Sequence, residues 1–198
     1  MLIFAFGFIS AYPQDKDTYE LTKNQSSIGL TSSIGICEVN QPVDKANISS
    51  SHGNLVISYG LIYDRTLTKR LKIETGICYA KYSIEDHIIS EPFYNFYVTE
   101  NYYVISIPVL FKYYFPNDYY LSGGTILDLV AKRGDWKISD SMNGFALSTG
   151  IGKEITIKKF YISLGVNFDL HTAIPFSGDL SQQKFFVPGF KVVLGRRI

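Results

Sequence analysis

Eight stretches of the chain alternate large apolar side chains with small or polar ones. They read SSIGLTSSIGICE, LVISYGLIYDR, LKIETGICYAKY, YYVISIPVLFKYYF, YYLSGGTILDLVAK, NGFALSTGIGKEIT, FYISLGVNFDLH and KFFVPGFKVVLGRRI. A period of two places the two sets on opposite faces of a β-strand. In the fourth stretch Tyr103, Ile105, Ile107, Val109, Phe111, Tyr113 and Phe115 share one face. Val104, Ser106, Pro108, Leu110, Lys112 and Tyr114 share the other.

Alternation alone leaves the polarity open. A soluble barrel or sandwich turns the apolar face inward. A transmembrane barrel turns it to lipid and lines the interior with small or polar residues. Three features favour the second. The weaker faces carry Gly, Ser and Ala with scattered charges, whereas a solvated face is richer in Lys and Glu. Aromatic pairs gather at segment ends, as at Tyr102–Tyr103, Tyr119–Tyr120, Phe160–Tyr161 and Phe185–Phe186, which suits interfacial girdles. The segments exceed the usual soluble strand of about five or six residues and suit a tilted spanning strand. Charged residues make up 19% of the chain, below the roughly 25% usual in soluble domains.

The connections alternate in length. NQPVDKANISSHGN, EDHIISEPFYNFYVTEN, RGDWKISDSM and TAIPFSGDLSQQ are long; TLTK, PND and TIKK are short. Outer-membrane barrels have long outer loops and tight periplasmic turns. The expected fold is therefore all-β, an eight-stranded antiparallel up-and-down transmembrane β-barrel over 25–198. A lipocalin-like soluble barrel and a β-sandwich are the alternatives. Residues 1–13 have the apolar run of a truncated signal peptide, without its basic start. Residues 14–24 form a polar leader.

The fourth segment resembles the "x-IPxLxKxxF" strand of the outer-membrane β-barrel family common in Bacteroidetes, which includes the PorT-like proteins. The matching residues are Ile107, Pro108, Leu110, Lys112 and Phe115. YYLSGGTILDLV, GIGKEI, KKFYISLGVNFDL and GFKVVLGRRI resemble its later strands. The resemblance implies fold and compartment, the bacterial outer membrane, and carries no catalytic residues. The chain departs from the pattern in ending on Ile198 rather than an aromatic residue.

Alternation places Asp64, Lys72, Glu74, Lys112, Asp128, Glu154, Asn167, Asp169 and Lys191 on the interior face. Charges in a narrow barrel require partners. The expected reading is a polar network filling the lumen, with Glu74 as partner to Lys112. An eight-stranded barrel is too narrow to be an open pore unaided, since side chains fill it, and a selective channel or proton path through these groups is the alternative. Pro108 has no N–H to give a ladder, so a bulge is expected there.

Other chemistry is sparse. Some small outer-membrane barrels act on lipid with a Ser–His pair near the outer rim. The candidates are His52, His87 and His171, with Ser50, Ser51 or Ser90, and His171 shares a face with Asp169. No catalytic set is assigned, and no enzyme activity is expected. Cys37 and Cys78 match no metal or redox spacing and read as small buried residues rather than a disulfide. No cofactor or metal site is expected. A net charge of +1 gives no footprint for nucleic acid. The expected partners are outer-membrane lipid and, through the long loops, other envelope proteins. The expected role is structural or interactive, with a small porin as alternative.

Overall fold

The computed structural model describes residues 25–40, 48–90, 94–132, 142–176 and 184–198. The expected signal and leader lie outside them. The strands are β1 (Ser26–Ile36), β2 (Glu38–Asn40), β3 (Ile48–Thr68), β4 (Leu71–Ser90), β5 (Tyr94–Tyr114), β6 (Tyr119–Lys132), β7 (Gly144–Ile157), β8 (Phe160–Pro175) and β9 (Lys184–Arg197). From β3 onward each strand pairs antiparallel with the next. β1 pairs with β3 on one side and β9 on the other, which closes the sheet. β2 continues β1 along β9, so the two form one stave of an eight-stranded barrel.

The barrel is inside-out relative to a soluble one. Leu30, Leu61 and Ile77 are about 60% exposed on the outer wall, at 63%, 59% and 63%. Asp64, Glu74 and Lys112 are buried inside, at 1%, 0% and 2%. Water would strip such a wall of its stability, whereas acyl chains match it. This polarity rules out the lipocalin-like and sandwich alternatives. Short turns at Lys69–Arg70, Pro116–Asp118 and Lys158–Lys159 lie at one end. Both chain ends of the barrel meet there, with Ser27 opposite Arg197.

Several expectations need correction. The long loops after the first and third segments are partly strand. β3 starts at Ile48, β4 runs to Ser90 and β5 resumes at Tyr94, with Ser90 opposite Tyr94. The sequence there is rich in β-branched and aromatic residues, including Ile88, Ile89, Tyr94, Phe96, Tyr97 and Val98, which favour strands. β3, β4 and β5 therefore extend as a ladder past the end of β6, whose Lys132 pairs with Tyr103.

The aromatic pairs do not both face lipid. Tyr113, Phe115, Tyr119 and Phe160 are exposed, while Tyr102, Tyr114, Tyr120, Tyr161 and Phe185 are buried in the lumen. Neighbours on a strand point to opposite faces, so a doublet contributes one ring to each side.

Pro108 produces no bulge. β5 keeps a continuous ladder with β6, Pro108 opposite Ile126. On the β4 side, pairing runs from Thr75–Val109 to Cys78–Ser106 and skips the residues between, without a change of register. The missing donor costs a local gap on one side only. Pro188 repeats the device. β9 stays paired with β8, Phe168 opposite Pro188. Towards the first stave its ladder stops at Gly35–Gly189 and resumes at Glu38–Phe186 in the same register. The break between β1 and β2 thus sits across from Pro188. There the Cys37 backbone N–H turns to the other neighbour and donates to the Asn54 carbonyl at 3.0 Å.

Candidate functional site

The lumen is the one place where the chain concentrates buried charge among the described residues. At the short-turn end it is braced by ion pairs. Lys72 Nζ lies 2.8 Å and 3.0 Å from the two carboxylate oxygens of Glu154. The Tyr114 hydroxyl donates to Glu154 at 2.6 Å, and the Tyr161 hydroxyl donates to Asp64 at 2.7 Å. Lys112 Nζ lies 2.5 Å from Glu74 Oε2 and 3.8 Å from Asp64. Lys191 Nζ takes the other Glu74 oxygen at 2.6 Å. The rings of Tyr114 and Tyr120 lie under Lys72 and Lys112, 4.7 Å and 5.1 Å from the ammonium groups. Lys72 and Lys112 are therefore held by carboxylates and a ring face and Lys191 by Glu74, the arrangement that offsets the loss of water.

Strand parity positions this set. Asp64 comes from β3, Lys72 and Glu74 from β4, Lys112 from β5, Glu154 from β7 and Lys191 from β9. One glycine admits the bracing. A Cβ on Gly195 would lie 2.2 Å from the Tyr161 ring, so only glycine lets that ring lie flat on β9 and reach Asp64.

A second polar group stands further along the lumen. His171 Nδ1 is 2.6 Å from Asp128 Oδ2, and Ser106 donates to Asp128 Oδ1 at 2.6 Å. The Tyr82 hydroxyl is 3.0 Å from His171 Nε2. The partner of His171 is thus Asp128 on β6, rather than its neighbour in sequence, Asp169. Asp169 instead accepts from Ser148 and from Asn167, each at 2.5 Å. Between the two polar groups lies a cavity of about 90 Å³, lined by Ser58, Cys78, Pro108, Ser148, Asn167 and Lys191 among others.

The outer end of the lumen is apolar. Cys37, Tyr82, Ile84, Tyr102, Met142 and Phe185 pack together there, none more than 3% exposed. This cap departs from the expectation that the strand-end aromatics form girdles at the lipid interface. The signal was available: continuing the Gly/Ser face outward reaches Tyr82, Ile84, Tyr102 and Phe185 by parity. Cys37 and Cys78 are both free thiols.

Of the other residues considered for chemistry, His52 and His87 lie in the extended β3–β4 ladder. His52 is opposite Glu85 and His87 opposite Ser50. His171 is buried, at 3% exposed, in the hydrogen bonds just given. Among the described residues, no three His, Cys, Asp or Glu side chains converge to hold a metal ion.

A solved structure of similar shape supports this architecture. The outer membrane protein OprG from Pseudomonas aeruginosa superposes with a TM-score of 0.59 at 9% identity, covering 92% of this chain and 99% of that one. The fold is that of a bacterial outer-membrane β-barrel. Two more distant matches are AlkL, with a TM-score of 0.49 at 11% identity over 94% of this chain and 95% of that one, and Ail from Yersinia pestis, at 0.45 and 14% over 89% and 100%. Both are too far in shape to argue from. No family model and no curated protein sequence matches the chain.

Proposed function

We propose that this chain is an outer-membrane protein whose barrel is a closed, non-conducting anchor. Its role is structural or interactive, and it holds the extended β3–β4–β5 ladder and the outer connections clear of the bilayer. Its short turns and barrel termini face the periplasm. The observation that carries this reading is the doubly blocked lumen. The Lys72–Glu154 and Lys112–Glu74–Lys191 pairs fill one end, and the Tyr82–Tyr102–Phe185 cap fills the other. An ion would have to break paired charges and then cross an apolar plug. The IPxLxKxxF-like strand supports kinship with the Bacteroidetes barrels that include the PorT-like proteins.

Two measurements test the reading. In fractionated envelopes the protein is expected in the outer membrane, with a gel mobility that shifts on boiling. In planar bilayers the purified barrel is expected to give no steady conductance steps. A soluble periplasmic protein with no shift sinks the membrane reading. Regular single-channel steps sink the closed-anchor reading and favour the small porin.

A further inference from the structure

The short-turn end carries an exposed basic arc centred on one side of the barrel, and Lys153 on β7 continues it as far as the Tyr119 ring. Around the wall, the arc runs from the β7–β8 turn, with Lys158 and Lys159, through Arg196 on β9 and Arg65 on β3, to Arg70 in the β3–β4 turn. These staves are contiguous: β8, β9, β1 and β3 neighbour one another in that order. No acidic side chain answers them on the surface at this end among the described residues. Asp64, Glu74, Glu154 and Asp118 are all buried, the last at 8% exposed.

Under the middle of that arc the outer wall is grooved. The groove measures about 460 Å³ and is lined by Ile28, Leu30, Leu61, Phe160, Ile162 and Leu194, with Arg196 at its mouth. Its floor includes the backbone of Gly29 and Gly195, direct partners in the ladder that closes the barrel. Register sets the two arginines on either side of β1. Arg196 pairs with Ile28, and Arg65 pairs with Ser26. They stand two strand spacings apart across β1 and two residues apart along it, about 12 Å from backbone to backbone. Both lie on the outward face, each ending an apolar row of its own strand. Lys159 is tied in beside them, its carbonyl accepting from the Arg197 N–H at 2.8 Å.

We propose that this groove and arc form a binding site for an anionic phospholipid of the periplasmic leaflet. One acyl chain lies along the apolar groove, and the phosphate sits among Arg196, Arg65 and Lys159. An arginine fork suits a phosphate oxygen pair. A zwitterionic headgroup shares the phosphate but brings a cation into a field that is already positive, so the site discriminates by net charge. The barrel is thereby oriented and ringed unevenly, with bound anionic lipid concentrated at the seam. The inference rests on the membrane placement proposed above.

The test uses the full chain reconstituted in phosphatidylcholine vesicles with a trace of spin-labelled lipid. Electron paramagnetic resonance reads the motionally restricted fraction for labelled phosphatidylglycerol against labelled phosphatidylcholine. The wild type is expected to prefer phosphatidylglycerol, and added salt is expected to weaken the preference. In Arg65→Gln/Arg196→Gln the preference is expected to fall several-fold, since a basic residue at an anionic surface contributes roughly fivefold at low salt. Lys81→Gln, on the outward face at the other end, is expected to leave it unchanged. A gel run with and without boiling verifies a folded barrel in every sample. An unchanged preference in the double variant overturns the site, as does an equal fall in Lys81→Gln. No restricted lipid of either kind overturns this site and the membrane placement together.

Discussion

Lys72 Nζ sits astride the carboxylate of Glu154, 2.8 Å from one oxygen and 3.0 Å from the other. The residues belong to β4 and β7, which share no ladder. Their ion pair is a strut across the lumen. Removing Lys72 leaves Glu154 buried with only the Tyr114 hydroxyl and the looser Arg197 contact at 3.5 Å, at a cost of up to about 3–5 kcal/mol, whereas replacing both Lys72 and Glu154 with apolar residues costs far less. Lys72→Met alone is expected to lower unfolding stability by about that much. Lys72→Met with Glu154→Met is expected to recover most of the loss. Urea titration in detergent micelles or vesicles, followed by tryptophan fluorescence or gel shift, measures both.

The apolar cap and the ion pairs isolate Cys78, which lines the cavity between them. In a Cys37→Ala background, a water-soluble maleimide is expected to label the unfolded chain and spare the folded barrel. Tyr82→Ala with Tyr102→Ala removes two of the largest rings of the cap and is expected to make Cys78 reactive in the folded state. Mass spectrometry after timed labelling reads this directly. If Cys78 labels equally fast with the cap intact, the lumen is open from some other direction.

Pro108 leaves a gap in the β4–β5 ladder while the register continues on both sides of it. Pro108→Val supplies the missing donor without moving either strand. It is expected to raise stability by about 0.5–1.5 kcal/mol, the net worth of one hydrogen bond. Hydrogen exchange is expected to show a newly protected amide at position 108. A loss of stability would mean that the ring's packing in the lumen outweighs the bond it forgoes.

Asp118 lies in the turn before β6 and outside the membrane wall. Burial pushes its carboxyl above the ordinary value of 3.8, and the Glu154 charge adds to the rise. The folded state therefore holds this proton more tightly than the unfolded chain does, and the ionised form carries a penalty at neutral pH. As pH falls through the raised pKa towards 3.8 and below, the penalty disappears. Asp118→Asn removes it at every pH, and asparagine tolerates the positive φ of 66° at this site. The variant is expected to be more stable than wild type at pH 7 to 8, with the difference vanishing below about pH 4. Thermal melts across that range measure it.

Period-two alternation was enough to read the wall, its hidden face and the order of long and short connections. It placed Glu74 and Lys112 on one face of adjacent strands, and their ion pair is 2.5 Å long. Alternation specifies a face but not a partner across the lumen. Lys72 with Glu154 and His171 with Asp128 depend on strand stagger, which no local pattern carries. Strand ends were harder to read for a different reason. Beyond the bilayer both faces of a ladder are solvated, so the apolar contrast that marks a strand fades while pairing continues, as between His87 and Tyr97. The aromatic doublets misled because the composition of a strand end says nothing about which ring points inward.

Every ladder in the wall but one joins strands that follow each other along the chain. The exception is the seam where Ser27 meets Arg197, and the same seam is notched across from Pro188. The entropy of loop closure is thus concentrated in a single event, after the hairpins have formed locally. The gap at Pro108 interrupts two strands that follow each other in the chain, whereas the notch at Pro188 lies on the one ladder that joins the first and last staves, so this is where the finished cylinder would first unzip. Folding and rupture of this barrel share one hinge line, where its first and last staves meet.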